Sequence, residues 1–194
     1  MNPITQDNIL YGQPEDWRRS TDDPKDRTLI WKDARLYGNA RMYGNARMHD
    51  NASMHDNASM RDNARMHGNA CMYGNACMYG NACMYGSGIA SHPWHIVCAD
   101  MVGSRCACLT VHPDTEIGIR VNTGCFSGSV EEFLSAVHQK PEDDIWRTQY
   151  PRVLYGLVSS VHASLGKVPI GDVPVDMVER AEEAAKTALL ESMQ

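Results

Sequence analysis

"GNACMYGNACMYGNACMYG", residues 68–86, spells nearly the same six residues three times. Carried backwards on that period, the frame reads IWKDAR from Ile30, LYGNAR from Leu36, MYGNAR from Met42, and MHDNAS from Met48 and Met54. MRDNAR from Met60, MHGNAC from Met66 and MYGNAC from Met72 and Met78 follow, and MYGSGI from Met84 ends the series. A period of six drifts against the 3.6 residues of a helical turn, so no constant apolar face would survive in a helix. A strand followed by a corner fits better. In A-R-M-Y, alternation sends Ala and Met to one side and Arg and Tyr to the other. The next two residues, G-N or D-N, are the types that best tolerate positive φ at a bend. Each hexad therefore predicts one short strand and one corner, with Ala and Met facing inward.

This pattern resembles the hexapeptide repeat of left-handed parallel β-helices, with Met where Val or Ile is usual. The resemblance implies a triangular prism, three hexads to a coil, so residues 30–83 make three coils roughly 15 Å tall at ~4.8 Å per strand. Positions eighteen apart then lie above one another. One face is expected to show Trp31, His49, His67 and Tyr85 beside Arg35, Ser53 and Cys71. The second shows Tyr37, His55 and Tyr73 beside Arg41, Ser59 and Cys77, and the third Tyr43, Arg61 and Tyr79 beside Arg47, Arg65 and Cys83. Arg35, Arg41 and Arg47 would belt one end and Cys71, Cys77 and Cys83 the other. Those three thiols point from different faces, roughly 10 Å or more apart, too far to pair or to share a metal. Asn39, Asn45, Asn51, Asn57, Asn63, Asn69, Asn75 and Asn81 hold one repeat position, where stacked amides can bond along the axis.

Composition bounds the partners. Of 194 residues, 18 are Lys or Arg and 24 Asp or Glu, a net charge of -6, which argues against a nucleic-acid partner. Only residues 30–89 are net positive, with six basic against four acidic residues. Eight of the twelve Met also lie there. No apolar run has the length of a signal peptide or a membrane span. Seven Cys, an odd number with no secretory context, read as reduced thiols, so the expected location is cytoplasmic.

Residues 1–29 are polar and acidic and suit an N-terminal arm or cap, with Trp17 and Ile30 as anchors. Beyond Gly88, "HIVCADMV", "RCACLTVH" and "EIGIRVNTGCF" predict a small antiparallel sheet over about 94–126 that closes the C-terminal end of the prism. Residues 127–194 predict helices. Ser129 with Glu132 fits a capping box ahead of Val130, Phe133, Leu134 and Val137. A second helix is expected after Pro151, stopping at Gly166. A third starts near Pro174, with Val178, Ala181, Ala185 and Ala188 as a small-residue stripe. The fold class is thus mainly β: a short parallel β-helix, a small antiparallel sheet and two or three C-terminal helices.

Repeats followed by short strands, the Gly124-Cys125-Phe126-Ser127-Gly128 turn and the "VEEF" helix resemble small proteins encoded by bacteriophages and prophages. That resemblance implies a bacterial cytoplasm during infection and transfers no catalytic residue. His92, His95, Cys98, Cys106, Cys108 and His112 are the densest possible metal ligands, but their spacings match no standard zinc pattern, so no metal or cofactor is assigned. The prism is also the scaffold of hexapeptide acyltransferases, the alternative were the protein an enzyme, although the repeat lacks their interrupting loop. No G-x-S-x-G, P-loop or paired-carboxylate motif is present.

The outward Tyr, His and Arg columns suggest binding instead. Aromatic planes beside guanidinium groups suit a nucleotide, by stacking and by forked donors to phosphate. The candidate residues are Tyr43, Arg47, Arg61 and Arg65, with His49 and His55 near the corners. A charged hydrogen bond gives ~1.5–3 kcal/mol against roughly 4–15 kcal/mol for association, so a flat face needs enclosure by a second copy. A homo-oligomer, a trimer first, is therefore expected. The first functional expectation is a non-catalytic oligomer that sequesters a nucleotide-derived signal of bacterial antiviral defence. The alternatives are a protein-binding inhibitor of a host defence complex, of the anti-CRISPR or anti-restriction type, and a structural trimerisation module.

Overall fold

The computed structural model describes residues 16–20, 27–103, 107–140 and 145–193. Most of the expected N-terminal arm, and Cys106, lie outside them.

The hexads fold as a parallel β-solenoid of three turns. Each hexad contributes a two- or three-residue strand: Leu29–Trp31 (β2), Arg35–Leu36 (β3) and Arg41–Met42 (β4) in the first turn. Arg47–Met48 (β5), Ser53–Met54 (β6) and Ser59–Met60 (β7) make the second. Arg65–Met66 (β8), Cys71–Met72 (β9) and Cys77–Met78 (β10) make the third, and Cys83–Met84 (β11) and Ile89–Ala90 (β12) stack above it. Residues eighteen apart are register partners, as in Arg47↔Arg65, Ser53↔Cys71 and Met42↔Met60.

Burial follows the alternation. Ala46, Ala52, Ala58, Ala64, Ala70 and Ala76, with Met48, Met54, Met60, Met66 and Met72, are all 0% exposed along the axis. Each buried Met contributes on the order of 1.5–3 kcal/mol over its exposed state. Corners fall where the sequence places residues that accept positive φ. Gly38 and Gly44 turn in the first coil, Asp50, Asp56 and Asp62 in the second, and Gly68, Gly74 and Gly80 in the third, all with φ of 54–70°. The aspartates offset their left-handed strain with a bond that glycine cannot make. Their carboxylates accept from the Gly68, Gly74 and Gly80 N–H groups at 3.0, 3.0 and 3.2 Å. Asn amides bond up the axis at 3.2–3.4 Å, Asn45 to Asn63 to Asn81 among them.

Both ends of the prism are covered. Trp17–Arg18 (β1) pairs antiparallel with β2, and Trp17 is buried against Trp31 and His49. Val97–Val102 (β13), Ala107–Asp114 (β14), Gly118–Thr123 (β15) and Phe126–Ser129 (β16) form an antiparallel meander over the other end. It is bonded there: Cys83 N–H donates to Thr110 Oγ1 at 3.2 Å, and Asn122 Nδ2 donates to the Cys83 carbonyl at 3.1 Å.

Three helices, Val130–His138 (α1), Ile145–Lys167 (α2) and Val175–Glu191 (α3), pack against this sheet. The capping box at Ser129 and Glu132 forms as expected. The Val178, Ala181, Ala185 and Ala188 stripe is buried. The start of α2 differs from expectation. The helix begins at Ile145 and runs through Pro151, and it ends at Lys167, one residue past Gly166. Proline removes one helical bond, but the turn before it is held by packing: Tyr150 meets Phe133 edge to face at 5.3 Å and has Trp146 at 6.0 Å. Among the described residues no helix is long and apolar enough to cross a membrane.

Candidate functional site

The eighteen-residue columns form, but their neighbours are not the expected ones. Each corner follows the aromatic position, as the A-R-M-Y reading has it, so the outward residue two places before each aromatic, and not the one four places after, shares its face. Tyr43, Arg61 and Tyr79 therefore stand beside Arg41, Ser59 and Cys77 on the β4–β7–β10 sheet. Arg47 and Arg65 stand on another sheet with Leu29, His49 and His67. His55 belongs to the third, stacked on Tyr37 at 4.5 Å with its Nε2 3.2 Å from Ser53 Oγ. The expected face uniting Tyr43, Arg47, Arg61 and Arg65 is thus corrected to two separate faces.

His49 is corrected as well. It is 0% exposed, stacked on His67 at 4.0 Å and roofed by Trp17 at 4.8 Å, so it faces no ligand. Burial first, then the neighbouring His67, Arg47 and Arg65, push its pKa down to about 3 despite Asp50 nearby. Burial likewise takes His67 down to about 4. Both imidazoles are therefore neutral packing groups at pH 7. Arg47 is half-buried, and burial, Arg65 and Arg19 all act against its charge.

The β4–β7–β10 face has the better binding geometry. The Arg61 guanidinium lies 5.4 Å from the Tyr43 ring centre and 5.7 Å from that of Tyr79, between the two. Such cation–π contacts hold the fork in place at about 0.5–1 kcal/mol each on an exposed surface. Asn39, Arg41, Tyr43, Asn57, Ser59 and Arg61 line an open groove of about 400 Å³ here, with no acidic residue in its lining. Tyr43 is 44% and Tyr79 49% exposed, so both keep ring surface for stacking. Sequence reasoning found Tyr43 and Arg61 but passed over Arg41, Asn39 and Asn57. The two-residue spacing within Arg41-Met42-Tyr43 already put Arg41 on that face.

The described candidates among the possible metal ligands do not gather at one point. His112 is fully buried, its Nε2 2.7 Å from Asn122 Nδ2 and its Nδ1 2.9 Å from the Pro113 carbonyl. His95 is buried in the Pro93–His95 turn. Among the described residues no three His, Cys, Asp or Glu side chains converge as a metal-binding group. A second recess of about 200 Å³, between α2 and α3, is lined by Leu165, Pro169, Ile170, Val173 and Val178. Its polar edge is His162, already bonded to Glu182, which leaves little to orient a polar ligand. No protein-family model, curated protein or solved structure matches the chain.

Proposed function

We propose that the protein is a non-catalytic binder of a nucleotide-like anion, held on the β4–β7–β10 face and enclosed by a second copy of the chain. The observation that carries this reading is the Tyr43–Arg61–Tyr79 stack with Arg41 beside it. Two forked cations would take phosphate oxygens, and the exposed tyrosine rings would stack on the base. A groove open to solvent supplies too little contact for micromolar affinity, about 8 kcal/mol, which is why the second copy is part of the proposal. The resemblance of the repeats, the Gly124–Gly128 turn and the α1 sequence to phage-encoded proteins supports the finer reading. In it the ligand is a nucleotide signal of bacterial antiviral defence, sequestered in the host cytoplasm.

Calorimetric titration of cyclic and ADP-ribose-derived nucleotides into the full chain tests this. Binding should weaken about 10- to 100-fold in Arg61→Ala and in Arg41→Ala, the value of one or two charged hydrogen bonds. Arg47→Ala, on another sheet, should leave it unchanged. No heat with any nucleotide, or equal loss in all three variants, would remove the proposal.

A further inference from the structure

A cluster of thiols lies away from the groove, where the antiparallel sheet meets the β11 strand of the solenoid. Cys98 on β13 is the register partner of Thr110 on β14. Cys108 lies two residues before Thr110, hence on the same side of the strand, with its Sγ 3.5 Å from Thr110 Oγ1. Cys98 and Cys108 are therefore diagonal neighbours on one face of the β13–β14 pair. Beside them the β13–β14 register slips between Ala99 and Val102, and Met101 takes φ 61° with 71% of its surface exposed. A non-glycine residue held at positive φ stores of order 1 kcal/mol or more of strain, and bulges of this sort re-aim the side chains around them.

We propose that Cys98 and Cys108 are a reversible redox pair, in which a hydroperoxide oxidises Cys98 and Cys108 resolves it to a disulfide joining β13 to β14. Their unequal surroundings assign the roles. Cys98 is exposed, Cys108 half-buried. The neighbouring Cys108 thiol is the main influence that brings the Cys98 pKa down to about 7, and Cys98 in turn pushes Cys108 well up, in keeping with the difference in exposure. Cys98 is then the attacking thiolate. Cys83, the third thiol nearby, is pushed up by burial and stays protonated.

In the first step Cys98 Sγ attacks the peroxide: an S–O bond forms, the O–O bond breaks, and the leaving oxygen departs as water after taking a proton from solvent. In the second, Cys108 Sγ attacks the sulfenic sulfur, the S–S bond forms, and the S–O oxygen leaves as water with the Cys108 proton. Two thiols and one hydrogen peroxide yield one disulfide and two waters, the peroxide being reduced by two electrons.

The test is treatment of the full chain with hydrogen peroxide at pH 7, blocking of remaining thiols by alkylation, and fragment-level peptide mapping with and without reductant. The expected product is a Cys98–Cys108 cross-link reversed by dithiothreitol. Alkylation of untreated Cys98 should run about three- to sixfold faster than an ordinary thiol, thiolate fraction winning over reduced nucleophilicity. In Cys108→Ser, oxidation should stop at the Cys98 sulfenic or sulfinic acid. A cross-link from Cys98 to Cys83 or Cys106 would overturn the assignment. So would oxidation of Cys98 no faster than of Cys125, which is exposed in the β15–β16 turn.

Discussion

Acid should weaken this fold through histidines that cannot be protonated in place. His49 is 0% exposed, and burial is the largest cause of its pKa of about 3, against about 6.5 when unfolded. A depressed folded-state pKa means the unfolded chain binds more protons than the native chain below pH 6.5, so stability falls as pH falls. Above pH 6.5 both states are neutral and the residue contributes no pH dependence. At pH 5 the linkage amounts to RT ln 32, about 2 kcal/mol, and it levels off near 4.8 kcal/mol below pH 3. His112, fully buried with a pKa of about 4, adds another ~2 kcal/mol at pH 5. His67, partly open, acts in the same direction. Two such terms are a large part of the ~5–15 kcal/mol that holds a typical domain. The assay is urea unfolding at pH 7 and pH 5, followed by tryptophan fluorescence, since Trp17 packs on His49. His49→Phe keeps a ring in the stack and removes the basic nitrogens. The drop between the two pH values should be smaller by about 2 kcal/mol in this variant. An equal drop in both proteins would refute the reasoning, because every other titrating group is common to the two.

Met60 is 0% exposed between Met42 and Met78, whereas Arg61 is exposed, so aspartate at 60 should abolish cooperative unfolding while Arg61→Asp costs only about 1–2 kcal/mol, the value of its two cation–π contacts. Similar behaviour of the two in circular dichroism melts would count against an axial core. Gly74 and Gly80 share a φ near 62°, but a Cβ at Gly74 would stand 2.7 Å from the Ser91 carbonyl oxygen and one at Gly80 only 3.7 Å from Asp100 Oδ2. Gly80→Ala should therefore cost about 1–2 kcal/mol for the left-handed backbone alone, and Gly74→Ala visibly more in the same melts.

Much of the fold is legible in the chain because its cause is local or strictly periodic. A strand of alternating Ala and Met with a positive-φ residue every sixth place can close its hydrogen bonds only by stacking on itself. The Asn ladders and the Ser129–Glu132 cap need nothing beyond near neighbours. Only tertiary structure decided that the Arg61 guanidinium lies between the Tyr43 and Tyr79 rings, since the Arg41-Met42-Tyr43 spacing assigns a face but not where a long side chain swings. Likewise only packing could carry α2 through Pro151, bury His49 beneath Trp17, and bring Cys98 to Cys108 across a bulged strand pair. These contacts join residues far apart in sequence or shift a register by one place, and a period of six carries no information about either.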